Sequence, residues 1–373
     1  MSNYMQRITL ILVAVVLFSC NGSKPKAENT INTIQVEAPR VKNVNGIKFE
    51  APAKNGVYSY NSLIEIELNN TTDLPIDSIQ LFFNNRKVET LVEGVLNYRM
   101  KIPDGNPGAK TWRLIAFHGE NKRSTDSRTI LVKPDKAPVK YSYELINTFP
   151  HDPNAYTQGL VYQDGYMYEG TGHYGKSGLR KTNITNGEVL SVLNIDSRLF
   201  GEGITIYNGK VYQLTWTSRK GFVYDLKTFA QEATFTYNTQ GWGVTTLGNE
   251  LVMSDGSHQL YYISPGSFAP IKEIEVYDHN GPVRKLNELE YINGLIWANI
   301  WMENRIVMID PATGEVKGEL DMTELLPTSD WDKLDRRDDV LNGIAWNPEK
   351  QTVYLTGKHW PKLFEIRVPA LHK

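Results

Sequence analysis

Three polar side chains and three indoles stand out as groups able to do chemistry. Glu202 lies between two glycines in FGEGIT, Asn287 precedes two acids in LNELEY, and Lys358 follows a glycine in LTGKHW, while Trp216, Trp242 and Trp301 sit beside short β-type runs. Carboxylate, amide and ammonium groups are those from which acid–base and anion-stabilising sites are built. Taken singly, each residue also has a plain structural use: a Glu among glycines sits in a turn, an Asn caps one, a Trp packs a core and a Lys faces water. The seven histidines, His118, His151, His173, His258, His279, His359 and His372, show no HExxH or other close ligand spacing, which argues against a catalytic zinc. The single cysteine, Cys20, excludes an intramolecular disulfide framework and any multi-cysteine metal site.

Whether those groups meet depends on the elements that carry them, and from about residue 139 onward the chain repeats. Five segments share a turn followed by an aromatic or β-branched run: DG-YMYEGTG, NG-KVYQLTW, GN-ELVMSDG, NG-LIWANIW and EK-QTVYLTGK. The third residue of each run, Tyr168, Tyr212, Val252, Trp297 and Tyr354, recurs at intervals of 44, 40, 45 and 57. That is the length of a propeller blade. The long last interval holds a charged insertion, 323–339, that reads as a short helix and loop. Each repeat can be laid out as four strands, except that the fifth runs out at Val368. A matching run at 141–146 stands ready to complete it from the N-terminal side, which would remove the exposed edges.

Ahead of this, 46–133 shows short alternating runs separated by turn-forming NNTTD, FNNRK, PDGNPG and HGENKR, the pattern of a small immunoglobulin-like β-sandwich. No histidine cluster or carboxylate pair there suggests chemistry, and it reads as a spacer or docking module. The expected fold is therefore all-β: a five-bladed β-propeller over 139–373 preceded by that sandwich. At the start, Arg7 precedes an apolar run at 8–18, too short to span a bilayer and suited to a signal peptide. The run ends in Leu17-Phe18-Ser19-Cys20, which resembles a bacterial lipobox. It predicts a signal peptide over 1–19, lipidation at Cys20, a polar tether over 20–45 and a periplasm-facing place on the cell envelope, with the membrane reached through the lipid.

In a propeller, the entries of the inner strands and the ends of the second strands meet at one axial mouth. The first set comprises Tyr156, Gln158, Phe200, Glu202, Trp242, Asn287, Glu288 and Asn342; the second comprises Glu169, Thr171, Trp216, Asp255, Trp301 and Lys358. An aromatic-walled mouth with carboxylates, an amide and a lysine suits a small organic substrate.

FPHDPNAYTQGL (149–160), EGTGHYGKSGLR (169–180), FGEGIT, QLTW, GWG, SDGS, LNELEYINGLIWANIW (286–301), DVLNGIAW and LTGKHWP resemble the plant-type glutaminyl-peptide cyclotransferases across about 141–368. The resemblance implies cyclisation of N-terminal glutamine to pyroglutamate with loss of ammonia. It implies a catalytic carboxylate at Glu202, a pocket amide at Asn287 and a lysine at Lys358. Aromatic walls fall on Phe200, Trp216, Trp242 and Trp301, and an entrance pair on Tyr156 and Gln158, with Tyr156 standing where Phe is commoner. Glu202 would move the proton, its flanking Gly201 and Gly203 leaving space for the substrate backbone, and Asn287 and Lys358 would hold the oxyanion; Glu288 is the other candidate base. No cofactor is required by that chemistry, and the family suggests a structural Ca²⁺, although no loop carries a calcium-site signature.

Two other classes remain open from the residues. A non-catalytic periplasmic peptide-binding propeller would keep the tryptophans and tolerate loss of Glu202 or Lys358. A metal-dependent hydrolase would need Asp255, Glu202 and Asn287 as ligands, which a lysine at the mouth opposes. With 40 Lys and Arg against 42 Asp and Glu and no sustained basic run, the chain has no electrostatic footprint for nucleic acid. The expected partners are peptides or proteins with N-terminal Gln, bound by a monomer.

Overall fold

The computed structural model describes residues 41–369 apart from 93, 104 and 120. The expected signal peptide, Cys20 and most of the tether lie outside the described residues. What is described is all-β, with a single four-residue helix, Thr328–Trp331, in the inserted segment. Lys42–Asn43, inside the expected tether, pairs in parallel with Lys122–Arg123.

The N-terminal strands form a sheet of six and a sheet of three. Their alternation is what makes them two-faced: along Leu63–Asn70 only Ile64, Ile66 and Leu68 are buried. Those residues share one core with Phe49, Ile79, Leu81, Trp112, Leu114 and Ile130. The module is tied to the rest where the Ala109 N–H donates to Glu275 at 2.9 Å and Lys133 Nζ donates to the His279 carbonyl.

From residue 157 the chain folds five times into the same antiparallel meander. The innermost strands are Thr157–Gln163, Gly201–Tyr207, Val244–Leu247, Leu286–Ile292 and Leu341–Asn347. Each packs against the innermost strand of the following sheet, and the fifth packs against the first. The first four sheets have four consecutive strands of their own, while Glu144–Pro150 completes the fifth against Lys362–Arg367. The strand expected at 141–146 is thus divided. Val139–Tyr141 adds instead to Val316–Asp321 of the fourth sheet, so one segment stitches two sheets together.

Glycines set how closely the innermost strands approach. A Cβ on Gly203 would stand 2.6 Å from the Trp242 carbonyl oxygen, one on Gly243 2.1 Å from that of Asn287, and one on Gly159 2.3 Å from the Ile204 nitrogen. Gly201 and Gly203 were expected to leave space for substrate; their missing side chains are used by neighbouring backbone instead.

Two carboxylates, Glu288 buried and Glu290 half-buried, reinforce the same strands. Glu288 accepts from the Leu160 and Ile344 N–H groups, and Glu290 from the Trp346 N–H and the Thr245 hydroxyl. Burial pushes both carboxyls up, Glu288 with the added push of Glu290, and Glu290 to about 8. A carboxyl whose pKa is raised by folding binds more protons in the folded chain, so the stability it allows is full below about 4.5 and declines as pH rises through about 8. The Tm of Glu290→Gln relative to the wild type should therefore be near zero difference at pH 5 and positive at pH 9. A constant difference measured by calorimetry at both pH values would contradict this.

Candidate active site

The entry to each innermost strand is irregular, and the irregularity aims side chains. In four of the five sheets a β-bulge interrupts pairing at the first residues, skipping Gln158, then Glu202, then Asn287 and Glu288, then Asn342. Bulges of this kind redirect a side chain out of the pleat. The ends of the second strands are held to those entries by a repeated backbone bond: Gly172 N–H to Tyr156 O, Trp216 to Phe200, Trp301 to Lys285 and Lys358 to Val340, at 2.8 to 3.1 Å. Trp216, Trp301 and Lys358 therefore occupy equivalent places in three sheets. In the first sheet that place is Gly172, where a Cβ would collide with the Phe200 and Tyr156 rings.

These residues surround a cavity of about 300 Å³ lined by Tyr156, Gln158, Phe200, Glu202, Trp216, Trp242, Asn287, Trp301 and Lys358, together with His173 and Asp338. All nine side chains named for this site from sequence line it. Glu202 is 5% exposed and Lys358 3%. Burial holds the Glu202 carboxyl well above the ordinary carboxylate range, the Lys358 ammonium opposing it. Burial likewise pulls the Lys358 ammonium down, against the charges of Glu202 and Asp338. The two shifts bring the proton affinities of the carboxyl and the amine towards each other. Lys358 Nζ lies 3.4 Å from the Tyr156 hydroxyl and 4.6 Å from its ring centre, and that hydroxyl donates to Asp338 Oδ1 at 2.5 Å. Asn287 Oδ1 is buried with no hydrogen-bond partner among the described residues, an acceptor left for a ligand.

The rings meet edge to face: Phe200 with Trp216 at 5.7 Å and Trp242 with Trp301 at 5.6 Å between centres. A ring-walled cavity containing the Glu202 and Asp338 carboxylates, the Lys358 ammonium and the Gln158 and Asn287 amides is a site for acid–base chemistry on a small neutral group.

The glutamine cyclotransferase family model matches residues 116–368, more than half of the chain. The chain belongs to the glutamine cyclotransferase family. The match begins within the strand Gly108–His118, ahead of residue 141 where the resemblance in sequence starts. The chain is 40% identical over 229 residues to a glutaminyl-peptide cyclotransferase of Arabidopsis thaliana, covering 60% of this chain and 71% of the relative. The glutaminyl cyclase structure from Myxococcus xanthus is 35% identical, covers 62% of this chain and 98% of its own, and superposes with a TM-score of 0.59.

Other expectations for the mouth of this cyclotransferase fall outside the cavity. Glu169 turns to His151 Nε2 at 3.1 Å and to the Thr157 hydroxyl at 2.6 Å. Asp255 accepts from Thr239 and Tyr261. Thr171 faces the Gly178 carbonyl. Asn342 stands behind the lining, donating to the Thr157 carbonyl and to Gln158 Oε1. Glu288, the other candidate base, spends both oxygens on backbone N–H groups away from the lining.

The calcium that the family suggests would have to draw mainly on backbone and amide oxygens. Among the described residues no group of three or more His, Cys, Asp or Glu side chains could hold a metal. Glu288 and Glu290 already accept from N–H and O–H groups.

Gln240 was not foreseen. Its Oε1 accepts from both Trp216 Nε1 at 2.7 Å and Trp242 Nε1 at 3.0 Å, fixing two walls from outside the lining. Nothing marks a glutamine in a turn as the holder of two indoles. Gln240→Leu should raise KM several-fold with a smaller effect on kcat and shift the tryptophan emission, whereas Gln240→Glu, which still accepts twice, should stay near wild type. Equal losses in both variants would remove the positioning role.

Proposed function

We propose that this cavity cyclises N-terminal glutamine of peptides and proteins to pyroglutamate and releases ammonia, the reaction for which the Arabidopsis relative is named. The observation that carries the assignment is the joint burial of Glu202, Asn287 and Lys358 within one aromatic-walled cavity. In the reaction the α-amine nitrogen bonds to the side-chain amide carbon, and the carbon to nitrogen bond of that amide breaks. The attacking nitrogen gives up one proton and the departing nitrogen takes one. Glu202 accepts the first and returns it to the second, so the carboxylate is regenerated each turnover. A raised pKa suits this double use, because the protonated form must persist long enough to donate.

Between those events the amide oxygen carries negative charge. Lys358 and the Asn287 N–H supply the positive ends for it in a site from which water is largely excluded. The unpartnered Asn287 Oδ1 offers an acceptor to the substrate amine. The attack is intramolecular, so holding the side chain folded back on its amine supplies much of the rate. Phe200, Trp216, Trp242 and Trp301 provide that enclosure, and Gln158, whose oxygen Asn342 already holds, has its amide N–H groups left for the substrate. No metal takes part, since a cation would have to sit beside the Lys358 ammonium.

The architecture carrying this site is, in our proposal, a five-bladed β-propeller over 139–373 with an immunoglobulin-like sandwich at 46–133. Five like meanders, the succession of packed innermost strands and the completion of the last sheet by Glu144–Pro150 support it. No described residue of the N-terminal module lines the cavity. The sequence at Cys20 supports a lipid-anchored, periplasm-facing protein.

Incubated with a Gln-initiated peptide in EDTA, the protein should release one ammonia per peptide, with the matching mass loss. Glu202→Gln should lower kcat by about 10²–10⁴-fold with the fold retained, and Asn287→Ala by about 10²–10³-fold. Binding without turnover would leave only a peptide-binding module. Turnover abolished by the chelator would remove the metal-free mechanism.

A further inference from the structure

Beside the cavity lies a second, larger cleft of about 770 Å³, and the same loops build both. Lys358 lines the cavity and His359 the cleft; Asp338 the cavity and Asp339 the cleft; Tyr156 the cavity and Asn154 the cleft; His173 the cavity and Lys176 the cleft. Between them stand two imidazoles. The His359 ring is 5.3 Å from that of Tyr156 and 5.8 Å from that of His173, nearly parallel to the latter at 10°. His359 is fixed there by Asp339 Oδ1 on its Nδ1 at 2.7 Å and by its own N–H on the Ala155 carbonyl.

The two spaces differ in character. The cavity is walled by rings; the cleft is lined by amides and charges, including Asn154, Asn194, Lys176, Arg180 and Lys333. Most of those charges are engaged: Arg180 with Asp152 at 2.8 Å, Lys333 with Asp330 at 3.5 Å, and Asp330 also with Lys362 at 2.6 Å. Among the described residues no ion pair holds Lys176, which is exposed at the cleft.

A glutaminyl group folded on itself fills an enclosed site, yet the peptide attached to it must leave. We propose that the residues following the N-terminal glutamine pass over the His173–His359 pair into this cleft, and that Lys176 makes it favour an acidic side chain there. The proposal rests on the cyclotransferase reading of the cavity. Asn154 and Asn194 present amide donors and acceptors suited to a peptide backbone, and Lys176 presents the one charge of the cleft lining without an ion partner among the described residues.

The test compares kcat/KM for L-glutaminyl amide with that for the amidated tetrapeptides Gln-Ala-Ala-Ala, Gln-Glu-Glu-Ala and Gln-Lys-Lys-Ala at low salt. Each tetrapeptide should exceed the single-residue amide, and the acidic one should exceed the basic one by about two- to five-fold, the effect of one exposed ion pair. The charge preference should fade in 1 M salt, where screening reaches about 3 Å, and reverse in Lys176→Glu with the rate on glutaminyl amide unchanged. Absence of turnover on glutaminyl amide itself would overturn the cyclotransferase reading and this proposal with it. Turnover of all four substrates at one kcat/KM would overturn the cleft alone. A preference that survives Lys176→Glu would overturn the assignment to Lys176.

Discussion

Removing the Glu202 carboxyl from water is the condition that the rest of the site serves. A carboxylate in solvent is a weak base that rarely holds a proton at neutral pH; one shut among rings holds it far more readily. Keeping it shut requires five sheets to bring their innermost strands so close that Gly159, Gly203 and Gly243 have room only for hydrogen. It also requires a counter-charge that lowers the cost without fixing the proton. Lys358, itself buried and pulled down, is suited to that.

The same residue type behaves differently a short distance away. Glu288, buried, and Glu290, half-buried, are also raised, yet their oxygens accept from backbone N–H groups and a hydroxyl of other sheets. Those oxygens are committed to joining strands. Glu202 has Lys358 as the charge acting against its burial and faces open cavity, so its proton is available to a ligand. Burial alone does not make a base; burial beside an unfilled space does.

Much of the site was legible because two signals coincide. The repeat places Trp216, Trp301 and Lys358 at equivalent strand ends, and the structure shows one backbone hydrogen bond recurring at each. The family-like motifs mark Glu202 and Asn287, which bulges then aim. What escaped lies where those signals fail. Asp338 belongs to the insertion that breaks the repeat, His173 to a loop between strands, and Gln240 to a turn whose use depends on two indoles being near. Glu169 was misplaced because strand alternation fixes a face but not a partner, and His151, brought in from before the first innermost strand, claims it. The division of the closing strand between two sheets was equally invisible, since both halves are simply β-type sequence.

The titration of Glu202 tests the central claim most directly. With the side-chain carboxyl labelled with ¹³C, its pKa can be read from the shift difference between wild type and Glu202→Gln and compared with the acid limb of kcat/KM. Because a base must be deprotonated to act, activity should rise with pH through that pKa, which should lie well above the ordinary glutamate value of about 4.3, and the two curves should coincide. An ordinary carboxylate pKa at Glu202, or an acid limb that bears no relation to its titration, would contradict the account.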